Sequence, residues 1–403
     1  MPLEPATGTP PEPRDGLRFH WFLPTNGDGR DIVGGGHGVA VQSAGAIRPA
    51  TLGYLGQVAR GAEQLGFEGA LTPTGAWCED AWLATAMLAE VTKRLKFIVA
   101  FRPGLLSPML AAQMAATFQR YSGGRLLLNV VTGGETAEQQ AYGDFLGKAE
   151  RYQRCDEFLD IVTRLWHGET VSHDGRHLRV AGARLARRPD PVPPLYFGGS
   201  SAEAGPVAAR RCDVYLTWGE PPAAVDAKLR WMDQLVKGAG RTLRYGIRLH
   251  VITRDTAHEA WMAANRLIRG IDEAMVREVQ EGLAASESEG QRRMRELHGG
   301  TADNLEVSPN LWAGIGLLRG GAGTALVGSH AEVADRIEEY AELGISEFIL
   351  SGYPHLEEAY WFGEGVLPIL RRRGRWRHPA PENGGGLVPS APASGPGQPA
   401  AAS

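Results

Sequence analysis

The feature that most constrains this chain is an alternation of short apolar runs, rich in β-branched and aromatic residues, with segments of helical periodicity. Eight of the runs read as β-strands, and helical segments separate most of them, which is the pattern of consecutive βα units around a parallel sheet. Their near-continuous apolar character is typical of strands that are buried on both faces. The predicted strands are residues 18–24, 68–73, 96–103, 126–131, 194–199, 213–218, 245–252 and 347–352.

Eight units in this order predict an α/β fold, the closed (β/α)8 TIM barrel, while an open doubly wound sheet is the alternative that the pattern also permits. Local signals support the helices: Asp80 is a suitable N-cap, and Ser107 is followed by Pro108 at a first helical position. Cys155 falls on an apolar helical face and is expected in the core. The long connection over residues 253–346 predicts a lid-bearing insertion between the seventh and eighth strands.

Length and composition place these units in one domain. A chain of 403 residues is normal for a single barrel with insertions, which we expect over residues 16–378. The flanking segments, 1–15 and 379–403, are dominated by small residues and proline and are predicted to be disordered, since they cannot bury enough apolar area to order themselves.

The same composition disfavours several classes of protein. The formal net charge is −4 and basic residues are scattered, so no surface for nucleic acid or anionic membrane is indicated. No apolar stretch approaches the length of a membrane span. Cys78, Cys155 and Cys212 lack the spacing of metal ligands, which predicts reduced thiols in a cytoplasmic protein without a structural metal. A small-molecule partner is therefore favoured.

Polar side chains gather where the predicted strands end, which is where active sites of such barrels are built. The residues concerned are Cys78, Asn129, Thr132, Gly133, Gly199, Ser200, Ser201, Trp218, Arg248, His250, Tyr353 and His355, to which the glycine-rich RGGAG loop adds Arg319.

Several of these residues have a functional and a purely structural interpretation. The turn at Ser200 and Ser201 opens a helix and suits a phosphate, but it also suits a simple serine cap. Arg248 and His250 lie two apart on a strand and face the same way, so they could hold an oxyanion together or form ordinary buried pairs. Arg319 could close over an anion or remain a solvated loop arginine.

The sequence lacks the motifs of several other common binding and catalytic sites. There is no GxGxxG after the first strand and no GxxxxGK[ST], which disfavours dinucleotide and P-loop binding. Ser351 lies in LSGYP rather than in a GxSxG elbow, and HExxH is absent, so hydrolysis by those mechanisms is disfavoured.

Long segments, in order along most of the chain, resemble one known family. They include WFLPTNGDGR, PTGAWCEDAW, LKFIVAFRP, LLNVVTGG, PPLYFGGSS, YLTWGEPP, GIRLHVI, NLWAGIGLLRGGAGTALVG and LSGYPHLEEAY. The family is that of the flavin-dependent alkanesulfonate monooxygenases in the bacterial-luciferase-like superfamily. The resemblance implies a TIM barrel, commonly a homotetramer, that takes FMNH2 from a separate NAD(P)H-dependent FMN reductase and uses O2 to convert an alkanesulfonate to an aldehyde and sulfite.

The resemblance also implies roles by position. Catalytic roles go to Cys78, Arg248, His250, Arg319, Tyr353 and His355, and substrate contacts to Asn26 and Trp218. Cofactor contacts go to Ala100, Asn129, Thr132, Gly133, Tyr152, Gly199, Ser200 and Ser201. A non-proline cis peptide bond is expected near Ala100 and Phe101.

Three departures from the family pattern leave the substrate open. Asn26 stands where the family commonly has histidine, Ala76 and Trp77 replace a smaller, charged pair beside Cys78, and the first loop, residues 31–49, is long and glycine-rich. A monooxygenase of the same superfamily acting on a sulfone, amine or alkane, or a deazaflavin-dependent oxidoreductase, is therefore the alternative enzyme. A barrel that only binds or stores flavin is the non-catalytic alternative.

Overall fold

The computed structural model describes residues 16–32, 48–269 and 271–379. Thirteen strands lie within these ranges. Their bounds are β1 Arg18–Phe22, β2 Gly69–Thr72, β3 Lys96–Phe101, β4 Leu126–Val130, β5 Val171–Asp174, β6 Arg179–Ala183, β7 Leu195–Phe197, β8 Val214–Trp218, β9 Arg244–Arg254, β10 Glu306–Ser308, β11 Leu311–Trp312, β12 Ala325–Ser329 and β13 Ile345–Ser351.

Eight of these strands close into a parallel barrel in the order β1-β2-β3-β4-β7-β8-β9-β13. The closure runs through the pairing of β13 with β1, in which Phe348 lies opposite Phe19. It also needs the pairing of β8 with β9, in which Leu216 lies opposite Gly246. Each barrel strand coincides with a predicted one, so the (β/α)8 prediction is confirmed and the open-sheet alternative is wrong.

Twelve α-helices and one short 3-10 helix, Gly314–Leu317, accompany the strands in the described ranges. The cap predictions are confirmed, since Asp80 accepts a hydrogen bond from Leu83 N at 2.8 Å and Ser107 accepts one from Leu110 N at 3.2 Å. The helices are α1 Leu52–Leu65, α2 Ala81–Leu88, α3 Pro108–Ser122, α4 Thr136–Ala141, α5 Lys148–Trp166, α6 Ala204–Arg211, α7 Pro222–Gly238, α8 Ala257–Ile268, α9 Glu273–Ala284, α10 Glu289–His298, α11 His330–Glu342 and α12 His355–Arg372.

Two apolar layers hold the barrel together. The larger lies between strands and helices and includes Cys155, which is fully buried as predicted. The smaller fills the barrel itself and consists of Phe22, Leu71, Ile98, Leu127, Tyr196, Val214, Leu216 and Ile349. Because side chains alternate along a strand, the inward position of Ile349 also places Glu347 and Ser351 inside the barrel, at opposite ends of β13.

The segment between β9 and β13 is the largest departure from a plain barrel. It contains α8 to α11 and β10 to β12, and the sequence predicted its two most evident helical stretches but not its strands. Strand β12 pairs in parallel with the outer half of β9, where Ala325 lies opposite His250. The sequence analysis did not predict β12, because the glycines around it weaken the strand pattern. It also did not predict the β5–β6 hairpin. A lid function for the insertion stays a prediction.

Some predictions fall outside the described residues. The predicted disordered ends lie there except for Pro379, and so does most of the first loop, residues 33–47. Within the described ranges, no helix combines the length and apolarity needed to cross a bilayer. The described part of the chain likewise holds no cluster of three or more His, Cys, Asp or Glu side chains arranged to bind a metal ion.

Candidate active site

A cavity of about 210 Å³ opens at the carboxyl ends of the barrel strands. Residues from β2, β4, β8, β9 and β13 line it, together with the loops that follow β2, β4 and β7, helix α5 and the connection between α9 and α10. The predicted site residues that line it are Asn129, Thr132, Gly133, Tyr152, Gly199, Ser200, Ser201, Trp218 and Arg248. The strand-end pattern in the sequence therefore corresponds to one continuous surface.

One end of the cavity is a polar cradle where β7 leads into α6. Ser201 accepts a hydrogen bond from Ala204 N at 3.3 Å, so the serine caps the first turn of the helix beside the cavity wall. A Cβ at Gly199 would lie 2.7 Å from the Ala204 Cβ, so only glycine fits this turn. Burial raises the pKa of the Tyr152 phenol, and hydrogen bonds with Thr132 and Ser201 lower it by less. The cradle presents the hydroxyls of serine and tyrosine, which a phosphate can use as donors, whereas the Ala204 and Gly205 N–H groups of α6 already donate to Ser201.

Asn129 and Trp218 also line the cavity. Asn129 lies on β4, and its buried Oδ1 atom has no hydrogen-bond partner among the described residues. Trp218 forms the opposite wall, and Gly290 of α10 packs so closely on its indole that a Cβ there would lie 3.0 Å from the ring. A planar ring with an N–H group directed at Asn129 would satisfy the orphaned oxygen.

The connection between α9 and α10 covers the cradle. Glu287 N donates to Gly134 O at 2.9 Å, and the Glu287 carboxylate pairs with Arg151 at 2.6 Å. Lys148 Nζ donates to the Glu287 carbonyl at 3.0 Å. This part of the insertion thus lies directly over the predicted cofactor site, and Lys148, which lines the cavity, supplies a cation beside the cradle.

Arg248 lines the cavity, and a second buried arginine, Arg319, lies against the same aromatic ring, Phe22, without lining the cavity. The guanidinium carbons of Arg248 and Arg319 lie 4.9 Å and 5.5 Å from the centroid of the Phe22 ring. Neither arginine forms a salt bridge with a carboxylate of the described residues, and Arg319 Nε has no hydrogen-bond partner there. Burial, together with the neighbouring charge of Arg319, lowers the pKa of Arg248. Two adjacent buried cations without a counter-ion form a strong attractor for an anion.

His250 and Ser351 connect the two arginines. Arg319 Nη1 lies 3.2 Å from His250 Nε2, and His250 Nδ1 lies 2.8 Å from Ser351 Oγ. Arg248 Nη2 donates to the same Ser351 Oγ at 2.9 Å. Burial, and after it the charges of both arginines, lower the pKa of His250 well below its usual value, so the imidazole is neutral near pH 7.

Tyr353 and His355 continue this cluster away from the cavity. The Tyr353 ring stacks on His250 with centroids 5.6 Å apart and meets the edge of His355 at 5.1 Å. His355 Nδ1 lies 2.9 Å from a carboxylate oxygen of Asp28, whose other oxygen accepts the His355 backbone N–H at 2.8 Å. Burial would raise the pKa of Asp28, but the His355 partner lowers it. Asp28 therefore anchors His355.

Seven predicted site residues do not line the cavity: four belong to the cluster beside Arg248, namely His250, Arg319, Tyr353 and His355, and the other three are Asn26, Ala100 and Cys78. Asn26 is half-buried in the turn after β1, and Ala100 is buried on β3 opposite Asn129. Cys78 Sγ contacts the Gly75 carbonyl at 3.5 Å. Burial raises the pKa of this thiol to about 12, which leaves it protonated and unsuited to act as a thiolate. Its neighbour Trp77 does line the cavity.

The expected non-proline cis bond near Ala100 is wrong. Within the described ranges the cis bonds are Asp190–Pro191 and Tyr353–Pro354. Strand β3 keeps a regular register with β4 through Ala100 opposite Asn129 and Phe101 opposite Val130, and a trans bond suits such a continuous ladder.

Several residues of the site were not predicted from the sequence. Phe22 lies within the predicted first strand and Asp28 follows it, but neither was singled out, and Ser351 had been considered only as a nucleophile. The two-residue period of β13 was a usable signal for Ser351, because it places the serine inward with Ile349. No local pattern marks Lys148 or the α9–α10 connection, which reach the cavity only through the tertiary fold.

Comparison with known proteins agrees with this fold. Three solved structures share the fold: riboflavin lyase (RcaE) with modified FMN and substrate riboflavin, at 20% identity and a TM-score of 0.74 over 90% of this chain and 93% of that one; DmoA from Hyphomicrobium sulfonivorans, at 19% and 0.73 over 90% of each chain; and the EDTA monooxygenase EmoA from Chelativorans sp. BNC1, at 18% and 0.71 over 90% and 95%. The model of one sequence family, described as luciferase-like monooxygenase, matches residues 17–347. The chain therefore belongs to the luciferase-like monooxygenase family.

Proposed function

We propose that the chain is a two-component monooxygenase that uses FMNH2 and O2 to cleave the C–S bond of alkanesulfonates. The observation that carries this proposal is the buried pair of Arg248 and Arg319, which lacks a carboxylate partner in the described parts of the chain. An alkane, amine or sulfone would leave both charges uncompensated in an apolar setting, whereas a sulfonate supplies the missing negative charge and three acceptor oxygens. The balanced reaction gives an aldehyde, hydrogen sulfite, water and FMN.

The cavity fits the cofactor that this reaction needs. Ser200, Ser201 and Tyr152 would hold the phosphate at the start of α6, with Lys148 nearby. Asn129 would accept a hydrogen bond from the ring through its orphaned Oδ1. When bound, reduced FMN supplies the two electrons that activate O2.

The remaining residues would position the substrate and exclude water. Arg248 and Arg319 would bind the sulfonate oxygens and stabilise the charge of the departing sulfite. Tyr353 is buried, which raises the pKa of its phenol and keeps it protonated as a possible proton donor. His250 is neutral and accepts a hydrogen bond from Arg319, so it would orient that arginine rather than protonate the substrate.

The proposal implies a partner and an assembly. A separate NAD(P)H-dependent FMN reductase would supply FMNH2, because the sequence carries neither the GxGxxG nor the P-loop motif in the expected place. A homotetramer in the cytoplasm remains our expectation from the sequence resemblance.

Sulfite release tests the proposal directly. Purified protein would be incubated with an FMN reductase, NADPH, O2 and straight-chain sulfonates of one to ten carbons, with a control that lacks the protein. We expect sulfite above the control for part of the series, and the series ranks the substrates. Tight binding of FMNH2 with no sulfite from any member would instead support an oxygenase of the same family that acts on another substrate.

A further inference from the structure

The buried cation pair raises a question of geometry. Arg248 and Arg319 repel each other, yet both stay inside the barrel against one ring, Phe22. Two neighbouring like charges need fixed hydrogen-bond acceptors, because there is no carboxylate of the described residues between them. The groups that lie between the arginines are His250 and Ser351, and both are buried.

The hydrogen bonds that link the two arginines through His250 converge on the oxygen of Ser351. A guanidinium can only donate, so the hydrogen bond between Arg319 Nη1 and His250 Nε2 forms in the tautomer in which Nε2 is the acceptor. The proton of the neutral ring is then on Nδ1, which donates to Ser351 Oγ at 2.8 Å. Arg248 donates to the same oxygen at 2.9 Å. Ser351 Oγ therefore receives hydrogen bonds from both sides of the cluster.

We propose that Ser351, acting with His250, is a positioning residue that fixes the separation and orientation of Arg248 and Arg319 for one anionic head group. This role rests on the proposed function, because it assumes that the arginine pair binds the substrate. Ser351 itself accepts from one arginine and steadies the ring that accepts from the other. Loss of its oxygen would loosen both cations while leaving their charges in place.

The surroundings of His250 keep its ring neutral. Arg248 contacts Ser351, which is bonded to Nδ1 of the ring. Arg319, from the loop before β12, contacts Nε2, and Tyr353 stacks on the ring face. The nearby charges of Arg248, Arg319 and His355 all oppose protonation of the ring, and the Ala322 carbonyl is the group that acts in the other direction. Only a neutral ring can both accept a hydrogen bond from Arg319 and donate one to Ser351.

Anion binding by the full chain separates positioning from packing. Inorganic sulfate would be titrated by calorimetry, with chloride adjusted to constant ionic strength, into the wild type, Ser351→Ala and Ser351→Cys. Cysteine keeps the size of serine but is a weak hydrogen-bond acceptor. The matched control is Ser346→Ala on the same strand at the other end of the barrel, where the serine donates to Tyr245 O at 3.3 Å.

We expect sulfate affinity to fall about tenfold in both Ser351 variants and to be unchanged in Ser346→Ala, since a hydrogen bond to a charged group is lost. The KM for the best alkanesulfonate should rise by a similar factor, with a smaller change in kcat. Wild-type affinity in Ser351→Cys would overturn the positioning role, because packing alone would then explain the serine. A wild type that binds neither sulfate nor alkanesulfonates would overturn the proposed function, and the positioning role with it.

Discussion

The two ends of the barrel interior treat buried charge in opposite ways. At the amino ends of the strands, the fully buried Glu347 accepts hydrogen bonds from Tyr196 at 2.8 Å and from His20 at 3.2 Å, and it pairs with Arg244. At the carboxyl ends, Arg248 and Arg319 are buried with neutral partners. The chain therefore neutralises its own charge at one end and leaves it open at the other.

This difference distinguishes stability from function. A buried charge with a full set of partners is compatible with a stable fold. Removing one partner destabilises the protein, because it leaves an uncompensated buried charge. A buried charge without a counter-ion is a cost to the free protein that a ligand can remove on binding. Substitutions at the two ends should therefore affect different measurable quantities.

The largest expected effect is on activity at the carboxyl end. Arg319→Ala should lower sulfite release at least about 1000-fold, because one of the two arginines to which we assign binding of the head group is lost from a desolvated site. Reduced-flavin binding should persist, since Arg319 does not line the cofactor cavity. Sulfite assays and anaerobic flavin titrations would measure both quantities. Turnover close to that of the wild type would show that the arginine pair does not bind the substrate.

At the amino end the expected effect is on stability. Glu347→Gln should lower the free energy of unfolding by about 3 kcal/mol, because Arg244 and His20 lose their buried counter-charge. The KM for the sulfonate should not change. Urea unfolding followed by circular dichroism would measure the loss. A stability equal to that of the wild type, or a cost matched by Arg319→Ala, would remove the contrast between the two ends.

Acid should act through the same carboxylate. Burial alone would raise the pKa of Glu347, but the His20 hydrogen bond and charge, together with Arg244, lower it to about 2. Because the folded pKa lies below the ordinary value of 4.5, the stabilisation is complete above pH 4.5 and is lost as the pH falls towards 2. Unfolding curves between pH 5 and 3 should therefore be steeper in pH for the wild type than for Glu347→Gln. Parallel curves would contradict this assignment.

The smallest effect concerns the cradle, to which the proposed function assigns the phosphate of the cofactor. Ser201→Ala should weaken FMN binding about fivefold, because one neutral hydrogen bond to the phosphate is lost. Binding of riboflavin, which has no phosphate, should be unchanged and serves as the control. Fluorescence titrations would give both affinities. An equal loss for both flavins would place the phosphate elsewhere.

Much of the fold was predictable because its signals are local. The apolar runs located all eight barrel strands, and Asp80 and Ser107 located two helix starts, since periodicity and capping depend on near neighbours. The β5–β6 hairpin and the strands of the insertion were missed, because their polar or glycine-rich sequences carry little period.

The site was predictable to a lesser depth. The positions of Arg248 and His250 on one face of a strand followed from the two-residue period alone. Their partners did not, because Ser351, Asp28 and Phe22 come from other strands and loops, and burial of Cys78 raises the pKa of its thiol by desolvation that no motif records.

The sequence by itself determined the order of strands and helices and which end of the barrel would be polar, since both are written in local periodicity. Only the tertiary structure decided which buried charges are compensated. That property depends on side chains more than a hundred residues apart meeting in one low-dielectric interior, as Arg248 and Ser351 do at one end and Tyr196 and Glu347 do at the other.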